Sequence, residues 1–245
     1  MVVDSTGAVN PCQSGLALVA TEAQLRRQEI NMLKIHGTYR SRAFRNIWLA
    51  KELGVPYEIV PVIQAYRLAA RAPDIPTMNT RSPEFQRLNP AGQIPVIDDG
   101  GLILSESLAI NLYLARKHGG PLAGETLAEE AQILRWSFWA ATEIEAAALA
   151  VLIQSEADED AGPALNAEAT LRDKFPVLNQ ALSGSGWLVG GRFTVADLNV
   201  AEIVRYAVPA LGLFNDNPAV KAWLAACQAR PAFQELWAKR AQEPT

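Results

Sequence analysis

The chain has 245 residues, 49% of them apolar, and a formal net charge of −4. That length suits one large domain or two smaller ones with ample core material, and an acidic balance without a long basic run weighs against nucleic acid or an anionic membrane as partner. Two histidines weigh against a His-rich metal site, and Cys12 and Cys227, far apart and without CxxC spacing, read as free thiols of a reducing, cytoplasmic compartment rather than as a disulfide framework.

Residues 1–31 contain the apolar piece GLALVA, which is short for a signal peptide and has no basic stretch before it. They read as an extension outside the core, helical in part over residues 21–30, and carry no chemical role. No apolar run in the sequence approaches the roughly 20 residues that span a bilayer. Met32 opens a cleaner pattern. LKIHG (33–37) reads as a strand, and SRAFRNIWLAKELG (41–54) as a helix with Phe44, Ile47, Trp48 and Leu53 near i, i+3, i+4 spacing and Gly54 as its stop. YEIVPVI (57–63) is β-rich, and Pro61 suits it to a sheet edge. Residues 64–83 read as a loop with a short helical turn, and 84–90 as a second turn. IPVID (94–98) and LILSES (102–107) flank Asp99-Gly100, a strong hairpin signal, and 107–119 reads as a helix with a basic last turn. The order is β-α-β and then β-β-α. After the linker-like 118–125 the alternation stops, apart from GWLVGG, and helices are predicted over 126–155, 164–184, 194–212 and 217–240. An α/β domain over 32–117 is therefore expected to precede an all-α domain over 126–245.

Four stretches carry chemistry or could. Pro95 either marks a sheet edge or follows a cis Ile94–Pro95 bond, which would leave the Ile94 N–H and C=O for an extended peptide to pair with. Glu106 and Ser107 read as helix capping, with Ser105 or Ser107 as N-cap. Equally, they form an anion-ready helix end in which a serine hydroxyl holds a carboxylate and the glutamate pairs with an ammonium. Ser41, at the start of the first helix, is a cap and also a group that can donate to a ligand thiolate, with Arg40 or Arg42 adding positive potential. A thiol pKa of ~8.5 falls in such surroundings. Tyr39 could donate similarly. Thr194 and Asp197 have capping-box spacing and read as structural.

Together these stretches resemble the cytosolic glutathione transferases over nearly all of residues 32–240. NPAGQIPVIDDGGLILSESLAINLYLA is similar to that family's glutathione-site segment, SRAFRNIWLAKELGVPYE to its first helix, and WLVGGRFTVADLNVAEI to its C-terminal capping motif. The resemblance implies a thioredoxin-like N-terminal domain, an all-helical C-terminal domain, glutathione as cosubstrate without a metal, and a homodimer in the cytoplasm. It implies that Glu106 and Ser107 hold the γ-glutamyl end, that Ile94 before Pro95 pairs with the cysteinyl part, and that Gln93 lies near the glycyl carboxylate. Ser41, four residues before Arg45, matches the serine-type, bacterial-like members. No tyrosine ends the first strand, where His36 is nearest, and no cysteine lies in 38–45. Conjugation of the glutathione thiolate to a small apolar electrophile is the expected reaction. The electrophile is expected to lie between the 38–45 loop and the 130–155 helix, with Trp136, Trp139, Thr142 and Glu143 as possible lining residues. Glutathione-dependent disulfide reduction and a non-catalytic binding or assembly role stay open as alternatives. Arg67, Arg71 and Arg81 are expected to face solvent more than ligand.

Overall fold

Leu33, Ile35, His36 and Gly37 are all buried, so the first strand must be covered on both faces. It is. In the computed structural model, which describes residues 32–70, 78–156 and 165–243, strand β1 (Leu33–Gly37) lies inside a four-stranded sheet of order β2-β1-β3-β4. It runs parallel to β2 (Tyr57–Pro61) and antiparallel to β3 (Val96–Asp99), and Ile35 sits opposite both Ile59 and Ile97. Pro61 ends the edge strand, where a missing N–H harms no ladder. β3 pairs with β4 (Leu102–Ser105) through the expected hairpin, whose turn is held by a bond from Gly101 N to Asp98 Oδ1 at 2.8 Å.

Helix α1 (Ala43–Glu52) crosses from β1 to β2. Eight consecutive residues, Ala43 to Ala50, are buried because the helix is enclosed by β1, by α3 (Ser107–His118) and by two helices of the C-terminal half. The 64–83 region contains a 3-10 turn at Ala65–Ala70, and α2 spans Pro83–Leu88.

The second half is helical, as expected. Residues 127–156 form one uninterrupted helix made of α4 (Leu127–Trp139), a π turn (Ala140–Ile144) and α5 (Glu145–Glu156). By length and composition it could cross a membrane, contrary to the expectation from the sequence. Its stripe of Ile133, Trp136, Ala140, Ile144, Ala148 and Val151 instead belongs to the core. α6 (Leu165–Leu182) and α7 (Val195–Val204) follow. The single helix expected over 194–212 ends at Val204 in a 3-10 turn, before Pro209, which has no N–H to continue a ladder, and α8 is Leu211–Asp216. The helix expected over 217–240 divides into α9 (Pro218–Gln228) and α10 (Pro231–Gln242). Pro231 opens the second, a position where its missing donor does no harm.

Thr194 and Asp197 form the expected capping box. Asp197 does more than cap. It also accepts from Leu188 N at 3.0 Å and from Trp223 Nε1 at 2.9 Å, while burial pushes its pKa up against these bonds. One hydrophobic cluster runs from Leu33 and Ile35 through Phe44 and Trp48 to Phe233 and Leu236, so the sheet and the helical half share a core. This is a thioredoxin-like N-terminal domain joined to a helical C-terminal domain.

Candidate functional site

A cavity of about 830 Å³ opens between the ends of the sheet and the long helix. Its sheet side is built by two loops and a helix start. The Ile94–Pro95 bond is cis. The β1–β3 register stops at Val96, so the Ile94 peptide groups lie outside the ladder, and both Ile94 and Pro95 line the cavity. The loop before them is stapled by buried Asn89, which donates through Nδ2 to Gln93 O at 2.8 Å and accepts from Ala91 N at 3.1 Å. Gly92 has φ +61, and a Cβ there would sit 2.9 Å from Thr80 O, so only glycine fits. Gln93 is exposed and lines the same wall.

Opposite lies the start of α3. Neither Ser105 nor Ser107 is its N-cap. That position is Glu106, at φ 70 and ψ 106, without a side-chain cap bond. A positive φ on a non-glycine residue typically costs about 1–3 kcal/mol and is held by its surroundings. Here it leaves the Glu106 side chain exposed beside the cavity while Ser107, the first helical residue, is buried with its backbone N–H free of the helix ladder. Ser107 Oγ accepts from Arg45 Nη1 at 3.1 Å, so its own proton is available to a ligand.

Arg45 joins the site although no local motif in the sequence marks it. It is fully buried on α1, lines the cavity, and also donates through Nη2 to Glu145 Oε1 at 2.9 Å, while its Nε has no partner. Glu145 accepts from Arg42 Nε at 2.7 Å as well. Burial pushes the Glu145 carboxyl up, but the guanidinium groups of Arg45 and Arg42 outweigh it and leave the pKa below the ordinary value. The Arg45 guanidinium is raised, with burial opposed by Tyr206 and Glu145. A signal for Arg45 existed: an arginine at an otherwise apolar helix position is buried only when paired.

The helical wall differs from the expectation. Trp136 is buried and meets Trp139 edge-on at 5.2 Å, and neither lines the cavity. Thr142 bonds back to Phe138 O, and Glu143 pairs with Lys174 at 2.6 Å. Phe138, Ala141 and Glu145 face the cavity instead, and Phe138 is 64% exposed. Their spacing of i, i+3, i+7 is one helical stripe, displaced from the tryptophans by about two residues.

Ser41 does not line the cavity either. It lies at its margin near Ile94: a Cβ at Gly37 would lie 3.4 Å from Ser41 Oγ and 3.8 Å from Ile94 Cβ. Its hydroxyl donates to Thr38 O at 2.8 Å and accepts from Ala43 N at 3.1 Å, so it supports the helix start from one residue before the N-cap, Arg42. Tyr39 and Arg40 turn away toward α10. Tyr39 packs against the core and its pKa is raised by burial, and Arg40 Nε donates to Arg240 O. His36 donates to or accepts from no cavity group. Its Nδ1 lies 3.3 Å from Val96 O, and burial lowers its pKa. Arg67 stacks on Tyr66 and Arg81 is exposed, neither lining the cavity, while Arg71 is outside the described residues.

Residues 40–117 match the family profile "Glutathione S-transferase, N-terminal domain", and residues 139–231 match "Glutathione S-transferase, C-terminal domain". Among curated proteins the chain is similar to glutathione S-transferase 3 of Zea mays, 32% identical over 83% of this chain and 92% of the relative. It is similar also to glutathione S-transferase F13 of Arabidopsis thaliana, 30% identical over 83% and 94%. Among solved structures it resembles glutathione transferase F7 from Populus trichocarpa, with TM-score 0.72, 26% identity, and coverage of 85% of this chain and 99% of that one. A glutathione transferase from Pseudomonas putida, bearing one glutathione disulfide per subunit, gives TM-score 0.70 at 26% identity, covering 84% and 90%.

Proposed function

Since the chain belongs to the glutathione S-transferase family, we propose that it conjugates the thiolate of glutathione to a small, mostly apolar electrophile. The observation that carries this reading is the pairing of two recognition elements across one cavity: the off-ladder peptide of Ile94 before a cis proline, and the anion-ready start of α3 at Ser107. In this reading the cysteinyl part of glutathione lies extended along Ile94, making backbone bonds of the kind that add a strand to a sheet edge. The γ-glutamyl carboxylate takes the Ser107 hydroxyl and the free N–H groups of α3, and its ammonium takes Glu106. Gln93 serves the glycyl end. The sulfur then points toward the Gly37–Ser41 corner. Ser41 swings its hydroxyl from Thr38 O to the sulfur, favouring thiolate over thiol, as in serine-type members of the family. The electrophile lies against Phe138 and Ala141. Rate gain comes from proximity and from the lowered thiol pKa, without a protein nucleophile.

The same reading assigns residues 32–117 to glutathione and 118–125 to a linker, and gives residues 126–245 the electrophile wall. A homodimer is supported by apolar side chains left exposed on the edge strand β4, Leu102 and Ile103, and by Leu134 on α4. A cytoplasmic setting is supported by Cys227, a buried free thiol that suits a reducing compartment, and a detoxifying role follows from the conjugation of electrophiles proposed above. The test is glutathione binding followed by ultraviolet difference spectroscopy, with aryl-halide conjugation run beside mixed-disulfide reduction. Thiolate absorbance with conjugation upholds the reading. Disulfide reduction alone favours a reductase, and no glutathione binding leaves a non-catalytic protein of this fold.

A further inference from the structure

Tyr39 and Arg40 stand between β1 and Ser41, and every backbone bond they make in the described structure goes to the far end of α10. The two carboxylate oxygens of Glu243, one residue past that helix, take one N–H each. Oε1 accepts from Tyr39 N at 3.0 Å and Oε2 from Arg40 N at 2.7 Å. Two arginines close the arrangement reciprocally: Arg40 Nε donates to Arg240 O at 3.2 Å, and Arg240 Nη1 donates to Tyr39 O at 2.5 Å. Successive N–H groups pointing one way form a concave site for an anion, and here the anion is the chain's own carboxylate, about two hundred residues away in sequence.

The other side of the same loop lies at the margin of the cavity. Thr38 and Ser41 bond to each other there, through Ser41 N and Oγ to Thr38 O. The loop is thus divided between two duties. Its outer pair is fastened to α10, and its inner pair sets the Ser41 hydroxyl beside Gly37. α10 is itself fixed against α1, since Trp237 meets Phe44 edge-on at 5.7 Å and lies under the guanidinium groups of Arg205 and Arg240 at 4.9 and 5.2 Å.

We propose that Glu243 is a positioning residue for catalysis: by holding the Tyr39–Arg40 peptide groups it fixes the Ser41 hydroxyl where the glutathione sulfur arrives. This rests on the conjugation reading given above. Released from Glu243, the two N–H groups turn to water, and the loop carrying Ser41 gains freedom at the point where a displacement of about 1 Å is costly for rate.

The test compares wild type, Glu243→Gln and Glu243→Asp in three measurements: the pH midpoint of the bound-glutathione thiolate absorbance, kcat for aryl-halide conjugation, and the glutathione Kd. Glutamine keeps the size but turns one acceptor into a donor facing an N–H, whereas aspartate keeps both acceptors on a shorter stem. The midpoint in Glu243→Gln should rise by about one pH unit, corresponding to roughly tenfold less thiolate below the midpoint. Its kcat should fall accordingly while Kd stays within about twofold, and Glu243→Asp should recover part of both. A Glu243→Gln enzyme with the wild-type midpoint and kcat, or one whose loss lies wholly in Kd, overturns the proposal. If wild type itself shows no thiolate band, the conjugation reading fails first. A wild-type band that Glu243→Gln leaves unmoved removes only the role of Glu243.

Discussion

The two walls of the cavity are made differently. The sheet wall is backbone chemistry: a cis peptide before β3, a loop stapled by Asn89, a helix start with free N–H groups, and the buried Ser107 hydroxyl. The helical wall is side-chain chemistry: Phe138, Ala141 and Glu145 along one stripe of a helix that carries a π turn. Backbone groups suit a ligand of fixed covalent form, because their positions are set by the fold. A wall of exposed side chains suits ligands that vary, because single substitutions reshape it without touching the ladder. In this account the first wall holds the constant cosubstrate and the second selects the electrophile.

The walls are joined at Arg45, so breaking that joint should have the largest effect. Arg45→Ala removes a partner of both Ser107 and Glu145, leaving Glu145 with Arg42 alone, and loss of one member of a buried pair typically costs about 3 kcal/mol. Urea unfolding should show this loss, with glutathione affinity reduced as well. Asp197→Ala, at the α7 cap and away from both walls, sharpens the comparison as a control. It strands four donors and should cost about 2–3 kcal/mol in the same unfolding experiment while glutathione affinity per folded molecule is unchanged. Ser41→Ala should retain glutathione binding and lose roughly tenfold in conjugation rate, one hydrogen bond to a charged group. Steady-state kinetics check this, and unchanged turnover would move the thiolate's support to the backbone.

The smallest effect concerns acid. The Glu145 carboxyl is held below its ordinary 4.5 by the two arginines. A depressed carboxyl contributes stability that is complete above the unfolded pKa and is lost as pH falls through the folded one. Stability should therefore decline below about pH 4.5, and Glu145→Gln should flatten that limb by about 1 kcal/mol or less. Thermal melts between pH 3 and 6 would record it, and an unaltered acid limb would show that the joint between the walls is not electrostatic.

Legibility in the sequence followed the same division. The sheet wall is contiguous: residues 89–110 carry Asn89, Gly92, Pro95, Glu106 and Ser107 in one run, and local rules of turn, hairpin and helix start act over a few residues. Even there the cap is Glu106 and not a serine, because no sequence signal marks Glu106 for a positive φ. The helical wall uses a stripe that residue type does not mark: Phe138, Ala141 and Glu145. Large aromatic residues such as Trp136 and Trp139 suit a ligand wall by type, yet their area favours burial, and they pack edge-on against each other instead. Arg45 and Glu243 act through partners about one hundred and two hundred residues away, a distance over which periodicity carries no information.

The division of labour between the walls is tested most directly by one calorimetric measurement, the glutathione Kd of Ser107→Ala set beside that of Phe138→Ala. The account predicts Kd raised about tenfold or more for Ser107→Ala, the loss of a charge-assisted hydrogen bond, and a value within about twofold of wild type for Phe138→Ala. An unaltered Kd in Ser107→Ala, or a larger loss in Phe138→Ala, would contradict it.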